Sequence, residues 1–207
     1  MNIYEHIDYT LLKPTATLKD IFNLCDNAVV KGCASVCIPS SYVLEVAESY
    51  EDLTVCTVVG FPLGNSTTET KVAETKRAIK DGAKEIDMVM DIGVFKSGNH
   101  FHLECEIEAI TEVMPKNAIL KVIIETCYLT DEEIAIATRI VDESNADYVK
   151  TSTGFGTRGA SFEDIEIMKA NIHNGTKIKA SGGIRTKEEM EKYLELGCDR
   201  IGASKLP

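Results

Sequence analysis

The chain has 207 residues, of which 44% are hydrophobic and 27% are charged, a composition typical of one globular domain of ordinary size. Its formal net charge of −11 disfavours nucleic acid and anionic membranes as partners, because both would repel the chain. No apolar run is long enough to span a bilayer, and the N-terminus lacks a signal-peptide pattern. Seven cysteines without a CxxC pair indicate free thiols. We therefore expect a single cytoplasmic domain over residues 1–207.

Short apolar runs alternate with amphipathic segments along the whole chain. The runs are rich in Val and Ile, as is typical of parallel strands that are covered on both faces. Eight strands are predicted, at Ile7–Leu11, Ala34–Ile38, Leu53–Val59, Lys84–Met90, Ala118–Ile124, Asp147–Thr151, Thr176–Ala180 and Arg200–Ala203.

Helices are predicted between these strands, and several begin with a Thr or Ser that precedes an acidic residue by three positions. These starts are at Thr17, Thr130, Ser161 and Thr186. Eight strand–helix units without a linker predict an α/β fold, the (β/α)₈ TIM barrel. A doubly wound open sheet is the alternative, and the count of eight favours the barrel. The sequence ends at Pro207, directly after the eighth strand, so we expect the last helix to be absent or truncated.

Three lysines lie inside strand-like apolar runs, namely Lys121, Lys150 and Lys179. Lysine is rarely buried without a partner. A buried ammonium loses its proton more readily, and a second nearby cation adds to this effect. The resulting amine is a nucleophile, which points to Schiff-base chemistry on a carbonyl substrate. The alternative for any one of them is a strand-end lysine whose charged head lies in water.

In such barrels the active site lies at the C-terminal ends of the strands. Polar residues within or at the ends of the predicted strands form one candidate set: Asp8, Cys37, Asp87, Lys121, Lys150 and Lys179. Taken alone, Asp87 is equally compatible with a structural carboxylate, and Cys37 with a small core residue.

Turns rich in glycine follow the last strands. They contain Thr153-Gly154, Gly182-Gly183 and Gly202 to Ser204. Barrels often bind phosphate at the last two of these loops, with backbone N–H groups and a helix N-terminus as donors.

No metal or cofactor is expected. His100 and His102 are interpreted as part of a solvated loop beside a helix start, because no third ligand cluster accompanies them. Neither a Walker loop nor a GxGxxG turn after the first strand is present, which argues against a nucleotide cofactor.

Taken in order, these segments resemble the deoxyribose-phosphate aldolases, a class I aldolase family. The resemblance covers essentially the whole chain. It is carried by the segments at 7–14, 35–39, 59–64, 85–93, 120–126, 149–156, 179–185 and 200–204, of which Lys-Thr-Ser-Thr-Gly and Lys-Ala-Ser-Gly-Gly-Ile-Arg are the most specific. The resemblance implies reversible cleavage of 2-deoxy-D-ribose 5-phosphate to D-glyceraldehyde 3-phosphate and acetaldehyde, in the breakdown of deoxynucleosides and without a metal.

The resemblance also implies roles for individual residues. Lys150 would form the Schiff base, Lys179 would ease its deprotonation and relay protons, and Asp87 would complete the relay through an ordered water. The residues that would contact or support the substrate and its phosphate are Asp8, Cys37, Lys121, Thr153, Gly154, Gly182, Gly183, Gly202 and Ser204. The chain departs from the family pattern at Tyr9, where many members have His, at Phe155, where some have a phosphate-contacting Lys, and at Lys205, where a small residue is common.

The partners implied are the phosphorylated sugar and acetaldehyde, with neither nucleic acid nor membrane, and a homo-oligomer, either a dimer or a tetramer. Two alternatives remain open from the sequence. One is a different barrel enzyme that acts on a phosphorylated sugar, because a fold does not fix a function. The other is a non-catalytic binding protein that keeps the barrel, against which the joint presence of Asp87, Lys150 and Lys179 argues.

Overall fold

Eight parallel strands close into a barrel in the computed structural model, which describes residues 2–207. Each strand pairs with the next along the chain, and the last pairs with the first. The strands are β1 (Ile7–Thr10), β2 (Ser35–Ile38), β3 (Val55–Val59), β4 (Glu85–Val89), β5 (Ile119–Ile123), β6 (Tyr148–Lys150), β7 (Lys177–Ser181) and β8 (Arg200–Ala203). The predicted (β/α)₈ barrel is confirmed, and pairing of β8 with β1 excludes the open sheet.

The helices lie between the strands, and two of them separate β4 from β5. They are α1 (Leu18–Lys31), α2 (Val43–Ser49), α3 (Thr68–Lys80), α4 (Ile92–Lys96), α5 (Phe101–Thr111), α6 (Asp131–Glu143), α7 (Phe162–Ala170) and α8 (Lys187–Leu196). The four predicted helix starts are confirmed as capping boxes. Within residues 2–207, no helix follows β8, and none of the helices is long and apolar enough to cross a membrane.

Several predicted strands are one or two residues longer than the observed ones. The run that begins at Leu53 forms a strand only from Val55, and the run from Asp147 forms one only from Tyr148. The carboxylate of Asp147 accepts the Leu120 N–H at 2.8 Å, so a side chain continues the hydrogen bonding beyond β6. The apolar pattern in the sequence follows the burial of side chains, whereas the bounds of a strand follow the hydrogen bonds between backbones. The predicted and observed strand ends therefore differ by one or two residues.

The register brings the predicted polar residues together. Asp87 on β4 lies opposite Lys121 on β5, and Lys150 on β6 lies opposite Lys179 on β7. Because side chains alternate between the two faces of a strand, these four point into the barrel. Residues that alternate with these four along the strands, such as Ile86, face the other way and pack in the apolar core.

A buried ion pair between α3 and α5 also contacts the end of β4, the strand that carries Asp87. Lys71 on α3 and Glu106 on α5 are fully buried, and their charged atoms lie 2.6 Å apart. Lys71 Nζ also donates to the carbonyl of Val89, the last residue of β4, at 2.7 Å, and Glu106 accepts the N–H of Asp91 at 3.3 Å. Burial raises the pKa of Glu106, and the attraction of Lys71 only partly offsets this.

We expect Lys71→Met to lower the free energy of unfolding by about 3–5 kcal/mol, because the Glu106 carboxylate would remain buried without its partner. The measurement is urea unfolding followed by circular dichroism. Adding Glu106→Gln should restore part of the loss. The matched control is Lys187→Met, which removes the solvent-exposed Lys187–Glu191 pair and should have little effect. Equal losses for the two lysine variants would contradict the assignment.

Candidate active site

Asp87 lies at the centre of a buried cluster of charges. Its Oδ2 atom accepts hydrogen bonds from Lys150 Nζ at 2.6 Å and from Lys179 Nζ at 2.7 Å. Its Oδ1 atom accepts from Lys121 Nζ at 2.9 Å and from the Cys56 thiol at 3.2 Å. Asp87, Lys121 and Lys179 have no exposed surface, whereas Lys150 is 3% exposed. One carboxylate therefore joins three lysines from three successive strands.

A second set of charges surrounds Lys121 and Lys179. Lys179 Nζ lies 2.5 Å from Asp8 Oδ2, in an ion pair whose angles do not make a hydrogen bond. Lys121 Nζ donates to Glu85 Oε2 at 2.6 Å. Arg200 links both acids, with Nη1 at 2.5 Å from Asp8 Oδ1 and Nη2 at 3.4 Å from Glu85 Oε1. The network thereby crosses the seam between β8 and β1.

The charges fix one another's protonation. Burial would raise the pKa of Asp87, but the ammonium groups of Lys121, Lys150 and Lys179 hold it well below its usual value. Burial would lower the pKa of Lys179, yet Asp8 and Asp87 raise it above its usual value, and the pKa of Lys121 is raised in the same way. Near neutral pH, Asp87 is therefore ionised, and Lys121 and Lys179 carry fixed positive charges.

A cavity of about 380 Å³ opens at the C-terminal ends of β1, β6, β7 and β8. Its lining residues are Lys150 together with residues 10–13, 153–155, 181–185 and 202–204. Lys121 and Lys179 do not line this cavity, so Lys150 is the lysine of the three that a bound molecule can reach. A larger cleft of about 500 Å³ lies on the outer wall beside α2 and α3, away from these strand ends.

The twelve predicted site residues lie in two layers, one that lines the cavity and one beneath it inside the barrel. Those that line the cavity are Lys150, Thr153, Gly154, Gly182, Gly183, Gly202 and Ser204. Those that are fully buried and do not line it are Asp8, Cys37, Asp87, Lys121 and Lys179. Asp8, Cys37 and Lys121 are predicted from the sequence as residues that contact or support the substrate; in the structure they lie beneath the cavity, because they occupy inner positions of their strands whereas Lys150 ends its strand.

Gly202, which is predicted from the sequence to contact the substrate, also makes room for the Lys179 side chain. A Cβ atom at this position would lie 2.7 Å from the Cβ of Ser181 and 3.3 Å from the Cε of Lys179. The absence of a side chain on Gly202 therefore leaves the space through which the Lys179 side chain reaches Asp87.

The turns after β7 and β8 offer backbone donors to an anion. In the described chain, the N–H groups of Gly183 and Ser204 have no protein acceptor. The sequence also predicts a helix N-terminus as a donor to the anion, and the structure differs from this expectation at the start of α8. Glu189 Oε2 accepts the N–H groups of Arg185 at 2.8 Å and of Thr186 at 3.1 Å, so these two donors at the start of α8 are already occupied.

The sequence reasoning missed several residues that the structure places in or beside the cluster. Glu85 precedes Asp87 by two positions, and Arg200 precedes Gly202 by two positions, so each shares the inward face of its strand. The alternation could therefore have identified both. Glu125 had no such signal, because its left-handed backbone conformation is not indicated by the neighbouring sequence.

Within residues 2–207, one group of three potential metal ligands lies close together, with Cys37 Sγ, Cys56 Sγ and a carboxylate oxygen of Asp87 all within 4.8 Å of one another. A hydrogen bond with Cys56 lowers the pKa of the Cys37 thiol, although burial opposes this. The group does not fit a metal ion, because the Asp87 oxygens already accept from three ammonium groups that would repel a cation. His100 stacks on Phe95 at 4.5 Å between ring centroids.

Comparison with known proteins identifies the family of this chain. The DeoC/LacD family aldolase model matches residues 5–204. A relative from Clostridium botulinum (strain Alaska E43 / Type E3), named deoxyribose-phosphate aldolase, is 52% identical over 204 residues, which cover 98% of this chain and 92% of the relative. A relative of the same name from Treponema denticola is 49% identical over 207 residues, which cover 99% and 96% of the two chains.

Solved structures give the same result. The aldolase QR15 superposes with a TM-score of 0.94 at 39% identity, over 98% of this chain and 91% of its own. The tetrameric deoxyribose phosphate aldolase from Aeropyrum pernix superposes with a TM-score of 0.90 at 30% identity, over 98% and 86%. The resemblance predicted from the sequence is confirmed, and the chain belongs to the DeoC/LacD family of aldolases.

Proposed function

We propose that this chain catalyses the deoxyribose-phosphate aldolase reaction, the reversible cleavage of 2-deoxy-D-ribose 5-phosphate to D-glyceraldehyde 3-phosphate and acetaldehyde. The observation that carries the proposal is the position of Lys150, which lines the cavity while its Nζ atom lies 2.6 Å from Asp87 Oδ2. The names of the relatives support this substrate, and the cavity at the strand ends supports binding of the substrate beside Lys150.

The charge balance of the cluster supports Lys150 as the nucleophile. The directly connected network holds four cationic side chains and three carboxylates, namely Lys121, Lys150, Lys179 and Arg200 with Asp8, Glu85 and Asp87. One cation is therefore in excess. Lys121 and Lys179 each contact two carboxylates closely, whereas Lys150 has only the Asp87 oxygen that it shares with Lys179. Lys150 is therefore the lysine of the three with the fewest carboxylate partners, and it is also the one that lines the cavity.

The chemistry then follows from this placement. The Lys150 amine attacks the aldehyde carbon of the open-chain sugar, and loss of water gives an iminium. Removal of the proton from the hydroxyl on the third carbon breaks the bond between the second and third carbons. The electron pair passes into the iminium to give an enamine, and glyceraldehyde 3-phosphate leaves. Protonation of the second carbon and hydrolysis of the iminium release acetaldehyde and restore Lys150.

Asp87 and Lys179 assist from below the cavity. Asp87 is held ionised and lies against Lys150, so it can accept and return protons at the nitrogen and, through ordered water, at the hydroxyl. Lys179 acts first through its fixed positive charge, because Asp8 and Asp87 raise its pKa. We propose that it joins the proton relay only when the bound substrate weakens those ion pairs.

We propose that the phosphate binds at the turns after β7 and β8. The unoccupied N–H groups of Gly183 and Ser204 support this site, and Lys13 and Arg185, which line the same cavity, add positive charge. Phe155 stands where some family members place a cation, so these two side chains would supply it here.

We further propose that the protein is a cytoplasmic homo-oligomer. The Aeropyrum pernix relative is described as tetrameric. In this chain, the apolar side chains of Val29 and Val30 on α1 are 56% and 81% exposed, which supports α1 as a surface for contact with another subunit. All seven cysteines are free thiols, which is typical of a reducing compartment.

Reduction with borohydride in the presence of acetaldehyde should attach an ethyl group to Lys150, because only this lysine of the cluster reaches the cavity. Peptide mapping by mass spectrometry makes the measurement. The Lys150→Met variant is the control and should stay unlabelled. Label on Lys121 or Lys179 alone would refute the assignment of Lys150. The chain could then be another barrel enzyme or a non-catalytic binding protein, the two alternatives given by the sequence.

Lys179→Leu should lower turnover of the sugar phosphate by about a hundredfold or more. It removes the positive charge that shares Asp87 Oδ2 with Lys150, so the residual activity should shift to higher pH. Lys179→Arg keeps the charge but cannot exchange a proton near neutrality, and it should also be poor. Lys177→Leu is the matched control, because Lys177 lies two residues earlier on β7 and is exposed. A normal rate and pH profile for Lys179→Leu would rule out the two-lysine mechanism.

Turnover should survive prolonged treatment with a chelator, because the iminium supplies the electron withdrawal that a metal would otherwise provide. The measurement compares chelated enzyme with enzyme to which zinc is returned. Loss of activity that zinc restores would contradict the proposal, and Cys37→Ser would then test the thiol group beside Asp87.

A further inference from the structure

The turn that follows β6 forms one side of the cavity, and the N–H and hydroxyl of its Thr153 are directed toward Glu125. Thr153 lines the cavity, but its N–H lies 3.2 Å from both carboxylate oxygens of Glu125, and its hydroxyl donates to Glu125 Oε2. The hydroxyl oxygen of Thr153 in turn accepts the N–H of Phe155 at 3.0 Å. The shape of the turn therefore depends on a carboxylate that the aldolase chemistry does not use.

Glu125 adopts a backbone conformation that is costly for its residue type. Its φ of 52° and ψ of 65° are left-handed, and it is the one non-glycine residue with positive φ among residues 2–207. The residues on either side keep the pairing with the end of β6, since Ile124 N donates to the Lys150 carbonyl at 3.0 Å and Thr126 N to the Thr151 carbonyl at 2.9 Å. Such strain persists only where the surroundings enforce it, and it is frequent at functional sites.

The far end of the turn packs against the same segment. A Cβ atom at Gly156 would lie 2.5 Å from Cys127 Sγ and 3.2 Å from Glu125 Oε1. Between Thr153 and Gly156, which both contact the Glu125 segment, Phe155 is 52% exposed. Its ring makes an edge-to-face contact with the ring of Phe61, at 5.3 Å between centroids. Within the described chain, residues 153–156 make no hydrogen bonds beyond those to Glu125 and within the turn itself.

We infer that Glu125 is a positioning residue for the aldolase reaction. Its buried carboxylate holds the turn at 153–156, and with it the side of the cavity next to Lys150, in the shape that receives the sugar phosphate. This inference rests on the proposed function. Glu125 is 1% exposed and does not line the cavity, so it acts through Thr153 rather than on the substrate. Burial raises the pKa of the Glu125 carboxyl, and the hydrogen bonds from Thr153 oppose this by favouring the ionised form.

The Glu125→Gln variant tests the inference because it keeps the size of the side chain and replaces one acceptor oxygen with an amide donor. KM for 2-deoxy-D-ribose 5-phosphate should rise by roughly tenfold to a hundredfold, as expected for the loss of a charge-assisted hydrogen bond. The turnover number should change by less than about threefold, since Lys150, Asp87 and Lys179 are held on strands. Labelling of Lys150 by acetaldehyde and borohydride should be normal.

Asp142→Asn is the matched control. Asp142 is also buried, at 4% exposure, and its carboxylate accepts the N–H groups of His173 at 2.6 Å, Asn174 at 2.9 Å and Thr176 at 3.2 Å. These residues precede β7 and lie at the opposite end of the barrel. Both variants should lower the melting temperature, but only Glu125→Gln should raise KM. Equal changes in KM for the two variants, or a lower melting temperature with normal KM for Glu125→Gln, would overturn the inference.

Thr153→Val gives an independent test if Glu125→Gln does not fold. It removes the hydroxyl that donates to Glu125, so KM should rise while the fold is kept. A normal KM for Thr153→Val would overturn the inference even where Glu125→Gln does not fold. Where Glu125→Gln folds, KM of the double variant should be close to that of Glu125→Gln alone, because both changes break the same contact. Multiplicative effects on KM would show that Thr153 and Glu125 act separately and would overturn the inference. An absence of labelling in the unmodified protein would instead contradict the proposed function.

Discussion

The carboxylate of Asp87 accepts hydrogen bonds from three buried lysines, and the arrangement of each lysine depends on it. An isolated ammonium in the interior of a barrel would carry a large desolvation cost. Asp87 offsets that cost for Lys121, Lys150 and Lys179 together, because its two oxygens face three neighbouring strands. Removal of this carboxylate would leave Lys150 without a carboxylate partner and would leave Lys121 and Lys179 with Glu85 and Asp8 alone, so the repulsion among the three cations would be less well compensated.

The same charges constrain the barrel itself. The acceptor comes from β4 and the three donors from β5, β6 and β7, while Asp8 and Arg200 extend the network across the seam between β1 and β8. A slip of one residue in any of these pairings would turn a charged side chain toward the apolar layer under the helices. The network is therefore better understood as a constraint on register than as a source of stability.

Two glutamates that lie outside this network shape the cavity above it. Glu125 accepts the N–H and hydroxyl of Thr153 after β6, and Glu189 accepts two N–H groups after β7. The lysine that we propose as the nucleophile lies on a strand, and the groups that we propose to bind the substrate lie on turns that donate hydrogen bonds to a buried or a capping carboxylate. If these proposals hold, the strands carry the groups that set the rate and the turns carry the groups that set the affinity.

The local sequence predicts the strands, four helix starts and the candidate catalytic residues. Runs of Val and Ile indicate burial within a few residues, and the capping boxes, such as Thr130 with Glu133, are formed entirely within one turn of helix. Lys150, Lys179 and Asp87 stand out because charged residues are unusual in such strands. The resemblance adds the substrate, which no local pattern contains.

Other features depend on residues that are distant in the sequence. Whether Lys121 or Lys150 reaches the cavity follows from the depth of each residue along its strand, and that depth is set by pairing between strands. The partner of Lys71 is 35 positions away at Glu106, and Glu125 acquires its role only because the end of β5 meets the turn after β6. Closure of the barrel brings these groups within a few ångströms, and charge and hydrogen bonding act only at that range.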